Sequence, residues 1–228
     1  MFVIDAFGAR WTLDLSGLED PLADELRSLW SRATVDPSAV AATDDAPLFV
    51  VARAADGSVD VGAGVTGKIH RGSDTDLPYT LSRALTLASI KRRAGQALML
   101  HAAGVALPDG TTAALVGASG TGKTTASTVL CQTLGYVSDE TVAVDPHGSV
   151  RAWPKPLSVA VDPGTRWEKH EKSPDELGLV RAPEQLQLGV VVILSRDPDL
   201  DGPPRLERIV AWVTEPVAAT ALWMLPIF

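Results

Sequence analysis

The sequence predicts an α/β fold of mixed α+β type in two parts: a small strand-rich region over residues 1–95 and a core over residues 96–228 built around a glycine-rich loop. Three observations predict it. Gly117-Ala118-Ser119-Gly120-Thr121-Gly122-Lys123-Thr124 matches the G-x-x-x-x-G-K-[ST] phosphate-binding pattern, and Thr125 follows it. A short apolar run, Thr112 to Val116, leads into the pattern, and a helical pattern from Lys123 to Leu134 leads out. A strand-like run, Leu98 to Ala106, precedes it across a Pro108-Asp109-Gly110 turn, so the loop is fed by the second arm of a β-hairpin.

In chain order, residues 1–15 read as a strand and its hairpin partner around Trp11 to Leu15. A helix then begins near Pro21, with Leu22, Leu26, Leu29 and Trp30 at helical spacing. Residues 35–47 are rich in Ala, Asp and Pro and predict a surface loop. Leu48–Ala52 and Val59–Val61 flank Ala55-Asp56-Gly57-Ser58, a hairpin signal. Asp76 to Gln96 predicts a helix that buries Leu81, Leu85 and Ile90 and turns Arg83, Lys91 and Arg92 outward. No Gly/Ser-rich linker separates the two parts, which predicts a seam within one body.

The loop residues define a chemistry. Backbone N–H groups over Gly117–Gly122 suit a β-phosphate, Lys123 reaches the β/γ-phosphates, and the Thr124 hydroxyl suits Mg²⁺. The helix start adds its partial positive charge to the same anion. Pairing across the turn at Asp109 brings His101 beside Gly117, within two residues, delivering an imidazole to the mouth of the loop. After the helix, residues 134–145 read as a strand with Asp139-Glu140 in its middle. A carboxylate there suits a metal ligand, placing Asp139 beside Thr124 as a candidate, and suits a general base. Neighbours in a strand face opposite ways, so one acid alone is expected at the phosphates, and Asp139 is favoured over Glu140. A nearby acid would also favour the protonated form of His101.

Composition excludes other classes. A formal charge of −8 argues against a nucleic-acid partner. No run of about 18 apolar residues is present, which predicts no membrane span. The start of the chain lacks a basic segment followed by an apolar stretch, which predicts a cytoplasmic protein. Cys131, the single cysteine, reads as a core residue. Arg181, Arg196 and Arg205 are within the region able to supply a phosphate contact but read as surface residues. A homo-oligomer is left open.

Leu100-His101-Ala-Ala-Gly-Val, the loop Gly117–Thr125 and Tyr136-Val-Ser-Asp-Glu-Thr-Val together resemble the HPr kinase/phosphorylase group, including related kinases of peptide-biosynthesis clusters such as lasso-peptide ones. The hairpin-fed loop is also similar to that of phosphoenolpyruvate carboxykinases. The resemblance covers about residues 97–160, with Trp153-Pro-Lys-Pro-Leu-Ser158 similar to the segment that follows in related kinases. It implies an HPr-kinase-like core, ATP and Mg²⁺ as cofactors, and catalytic parts for His101 and Asp139. The group usually carries two aspartates after the helix, where this chain has Asp139-Glu140. Its Glu-x-Arg-Gly-x-Gly segment, tied to phosphorolysis, has its nearest counterpart in residues 175–181, without the arginine in place. That implies a serine kinase acting on a protein or peptide, without an efficient reverse reaction. Two further readings stand beside it: a non-catalytic ATP- or GTP-binding switch, and a carboxykinase-like enzyme acting on a small acid.

Overall fold

A computed structural model describes residues 1–36, 46–63, 70–73, 75–160 and 169–195. The sequence also predicts a strand at Arg208–Val213 and a closing helix at Glu215–Leu225; both, with Arg196, Arg205 and most of the loop at 35–47, lie outside the described residues.

The described chain is mixed α/β, strand-rich, with three α-helices. The first part contains β1 (Phe2–Ala6), β2 (Ala9–Gly17), α1 (Asp20–Leu29), β3 (Thr34–Val35), β4 (Leu48–Arg53), β5 (Val59–Ala63), β6 (His70–Gly72) and α2 (Leu77–Arg92). Its strands form one sheet in the order β3-β1-β2-β4-β5-β6. Strict alternation along β2 buries Ala9, Trp11, Leu13 and Leu15 on one face, where α1 and α2 pack with Leu26, Leu29, Leu81 and Leu85. The Ala54–Ser58 turn closes β4 onto β5, as its Asp56-Gly57 pair predicts. Arg92 lies 5.0 Å from the Trp11 ring centre, at the outer end of α2. This core also takes in Met99, Ala143 and Trp153, so the two parts share a hydrophobic interior.

The second part contains β7 (Leu98–Leu100), β8 (Ala102–Ala106), β9 (Thr111–Val116), α3 (Lys123–Leu130), β10 (Gly135–Ser138), β11 (Val142–Val144), β12 (Val150–Arg151), β13 (Leu157–Ala160), β14 (Lys169–Lys172), β15 (Val180–Arg181) and β16 (Gln187–Ile193). A five-stranded sheet runs β15-β10-β8-β9-β16, and a three-stranded one runs β12-β11-β7. The β8–β9 hairpin pairs Ala102 with Val116 and Ala106 with Thr112, the register the Asp109 turn predicts. Gly110 makes that turn possible. Its φ is +86°, and a Cβ there would sit 2.1 Å from the Gln185 carbonyl oxygen. Gly110→Ala is therefore expected to destabilise the fold by about 1–3 kcal/mol, read as a lower urea midpoint with unchanged slope.

Four expectations need correction. The run 98–106 is not one strand: it breaks at His101, where the chain passes from the three-stranded sheet to the five-stranded one. The run 134–145 breaks likewise at Asp139–Thr141, so the two acids sit in a crossing between sheets, not mid-strand. The helix after the loop ends at Leu130, and Cys131 to Leu134 continue as turns. The apolar run Leu188–Leu194 predicts a buried strand, but Val190, Val191 and Ile193 are exposed on β16, whose one neighbouring strand among the described residues is β9.

Candidate functional site

Residues 117–122 connect β9 to α3, and the chain turns tightly through them. Thr121 folds its N–H and its hydroxyl back on the Ala118 carbonyl, at 3.3 and 2.8 Å. Gly122 caps α3 with φ +101°, a left-handed conformation that a side chain would strain, and it supplies no side-chain cap to the helix start. Ala118, Ser119 and Gly120 are exposed, Thr124 is half-buried, and Thr125 points to solvent. Lys123 is buried and donates from Nζ to the carbonyls of Gly117 at 2.6 Å and Ala118 at 3.3 Å, so its ammonium is held under the loop. Burial lowers its pKa, against the pull of Glu140 and then Asp139.

The two strand breaks face each other. The Ala102 N–H donates to the Glu140 carbonyl at 3.1 Å, which ties the His101 crossing to the acidic one. On either side the strands pair antiparallel, β10 against β8 with a register shift between Tyr136 and Ser138, and β11 against β7. One continuous ribbon thus splits between two sheets, and the split is where His101, Asp139 and Glu140 meet.

Strand alternation does not govern the acids here, because neither lies in a strand. Both converge on Lys155, whose Nζ is 3.1 Å from Asp139 Oδ1 and 3.4 Å from Glu140 Oε2. They differ in access: the Asp139 side chain is 5% exposed and that of Glu140 48%. Glu140 also acts more strongly than Asp139 on both Lys123 and His101. Burial pushes the Asp139 carboxyl up, with Lys155 opposing, whereas the Lys155 charge holds Glu140 down. The expectation that a neighbouring acid would protonate His101 is reversed. Burial, then the Lys123 ammonium, pull its imidazole below the ordinary value, and the acids only partly offset this.

Lys155 is the residue that sequence reasoning passed over. It lies within Trp153-Pro154-Lys155-Pro156, and Trp153 fixes the segment. The indole is fully buried, donates from Nε1 to Thr86 Oγ1 at 3.1 Å and packs edge-on to Phe7 at 5.8 Å. Lys155 is 3% exposed and also donates to the Pro156 carbonyl at 3.2 Å. Burial alone would lower its pKa, but Asp139, Glu140 and Glu171 together hold it well above the ordinary value. The Tyr136 hydroxyl lies 3.2 Å from the Lys155 carbonyl and 3.5 Å from Asp139 Oδ1, and burial keeps it a neutral phenol. Glu171 accepts a hydrogen bond from Ser158 and completes the acidic side of the cluster. The sequence signal for Lys155 was a lysine between two prolines beside a tryptophan, a stiff segment that presents one side chain.

Cys131 is buried, and burial raises its thiol to about 12, an inert core residue. Arg181 is 3.5 Å from Asp175 and does not reach the loop cluster in any contact described. Among the described residues no group of three or more His, Cys, Asp or Glu could hold a metal. Thr124, Asp139 and Glu140 carry oxygen donors of the kind a hard cation such as Mg²⁺ takes, and both acids are engaged by Lys155. No helix among the described residues is long and apolar enough to cross a membrane. No protein-family model matches this chain, and no curated protein or solved structure matches it either. The likeness to the HPr kinase group therefore rests on the sequence segments quoted for it.

Proposed function

We propose that the chain is an ATP-dependent kinase that transfers the γ-phosphate to a hydroxyl, a serine of a protein or peptide. The observation that carries this reading is the convergence of His101, Asp139 and Glu140 on a glycine-rich loop that holds Lys123 beneath it. A bare phosphate loop would suit a nucleotide switch equally well. The acids and the imidazole add what a transfer reaction requires.

In this reading the loop N–H groups and the start of α3 bind the β-phosphate, and Lys123 turns its ammonium from the Gly117 carbonyl to the γ-phosphate oxygens. Thr124 and one acid would hold Mg²⁺, which neutralises charge on the transferring group. The acceptor hydroxyl loses its proton to a carboxylate as its oxygen bonds the γ-phosphorus and the bond to the nucleoside diphosphate oxygen breaks. Glu140 has the access for that proton, and Asp139, locked to Lys155, has the rigidity for the metal. His101, neutral at pH 7, donates a hydrogen bond to the γ-phosphate or the acceptor without adding charge.

The acids are separable by exchange. Glu140→Gln is expected to slow transfer by about 10²–10⁴-fold with ATP affinity retained, the loss of a general base. Asp139→Asn is expected to weaken Mg²⁺ dependence and stability together. The reverse pattern in initial rates and Mg²⁺ titrations would exchange their roles. His101→Ala is expected to lower kcat more than ATP affinity. A normal rate with a lowered Tm would remove His101 from the site. The reading as a whole is tested by incubation with γ-labelled ATP and serine-containing acceptors. Label recovered on serine supports it, and bound ATP without transfer favours the switch.

A further inference from the structure

The first part of the chain meets the second through residues that flank the acidic cluster. Three buried residues of the second part, Met99, Ala143 and Trp153, join the hydrophobic core built by the first. Met99 lies two residues before His101, Ala143 three residues after Glu140, and Trp153 two residues before Lys155. Met99 and Ala143 also pair with each other across β7 and β11. Each segment that carries a member of the cluster is thus anchored in the same core.

Trp153 is held from several sides. Its indole Nε1 donates to Thr86 Oγ1 of α2 at 3.1 Å, its ring meets Phe7 edge-on at 5.8 Å, and its backbone N–H donates to the Val137 carbonyl at 3.0 Å. Phe7 is an unexpected residue in its place. With Gly8 it forms the two-residue turn between the paired Ala6 and Ala9, and its φ of +53° is the one positive value at a non-glycine among the described residues. Such a turn favours Asn-Gly, and a bulky side chain at positive φ is strained. Burial of the whole ring against Trp153 offsets that strain. From Trp153 the chain passes through Pro154 to Lys155, whose N–H donates to the Trp153 carbonyl at 2.8 Å, and Pro156 follows. Two prolines leave this segment little freedom, so fixing the indole fixes where the Lys155 ammonium lies. That ammonium sits 3.1 Å from Asp139 Oδ1 and 3.4 Å from Glu140 Oε2.

We propose that the first part of the chain positions the acid pair: Phe7 and Thr86 clamp Trp153, Trp153 aims Lys155, and Lys155 sets the place of Asp139 and Glu140. Phe7 and Thr86 are positioning residues that act through one indole. Their effect on rate rests on the kinase reading, whereas the clamp itself can be read without activity. The other indole bond to α2 supplies a matched control. Trp11 Nε1 donates to Ser89 Oγ at 2.8 Å within the same core, from a strand that carries none of the cluster.

The test compares Thr86→Val, Thr86→Ser, Phe7→Leu and Ser89→Ala in the full chain by kcat, ATP affinity, Tm and backbone amide exchange. Thr86→Val removes the indole's acceptor at nearly constant shape, and Thr86→Ser keeps it. Thr86→Val and Phe7→Leu are expected to lower kcat about tenfold with ATP affinity retained, because a small displacement of a reacting group slows the chemical step. Thr86→Ser is expected to keep the parent rate, and Ser89→Ala to lower Tm with kcat unchanged. Exchange at the Trp153 and Lys155 amides is expected to quicken about tenfold in Thr86→Val and Phe7→Leu while the β8–β9 hairpin amides stay as slow as in the parent. Parent kcat in Thr86→Val, an equal rate loss in Ser89→Ala, or exchange that quickens alike throughout the chain would overturn the proposal. Should the parent bind ATP and transfer nothing, the kinase reading falls, and the exchange comparison alone upholds or overturns the clamp. Thr86→Val decides the matter if Phe7→Leu does not fold.

Discussion

Lys123→Ala is expected to reduce Mg-ATP turnover by at least about a hundredfold while the chain still folds. The side chain lies at the first position of α3, and its Nζ sits on the Gly117 and Ala118 carbonyls directly beneath the loop. No other lysine or arginine shares either carbonyl in the contacts described, so nothing stands ready to replace it at the γ-phosphate. Removing it also leaves two loop carbonyls without their donor, which costs some local order but not the hydrophobic core. Circular dichroism and turnover on the same sample separate the two effects. Full turnover in a folded Lys123→Ala protein would remove the loop from any role in phosphate chemistry.

Lys155→Met is expected to cause the largest loss of stability of any single exchange near the site, about 3–5 kcal/mol. Methionine fills the stem, but the Asp139 carboxyl, buried and facing Glu140 and Glu171, loses the ammonium that compensates it. At this chain length such a loss corresponds to a Tm lower by roughly 10 °C. It also has a pH signature. Asp139 and Glu171 are already pushed up by burial with Lys155 opposing, so its removal raises both further. A carboxyl raised in the folded state favours folding while it stays protonated, and that advantage is lost as pH rises through the raised value. The Tm gap between parent and variant should therefore be small in the ordinary carboxyl range, about pH 4, and widest at neutral pH. A constant gap would show that the pair is not electrostatic in origin.

Periodicity and turn chemistry carried much of the fold. The alternation in β2, the helical stripe of α1 and the Asp109-Gly110 turn each have a local physical cause, and each appears where that cause puts it. The register of the β8–β9 hairpin followed from the turn alone, because a hairpin of fixed loop length leaves no freedom to slide. What was misread was where a strand would change sheets. Leu98–Ala106 and Gly135–Val144 each read as one strand, and their breaks at His101 and Asp139 come with a change of pairing partner. The polar residues at the breaks, His101 and Asp139-Glu140, were the local sign of that event, since strands disfavour acids. The same break explains why the facing of Asp139 and Glu140 could not be read by alternation. Lys155 was hidden for a related reason: its partners lie 15 and 16 residues away in sequence, and only the burial of Trp153 brings it to them.

The measurement that bears most directly on the account is a calorimetric titration of the full chain with ATP in the presence of Mg²⁺. Binding at a single site, lost in Lys123→Ala and kept in Glu140→Gln, is the predicted result. Absence of ATP binding to the folded parent protein, or undiminished binding to folded Lys123→Ala, would contradict it.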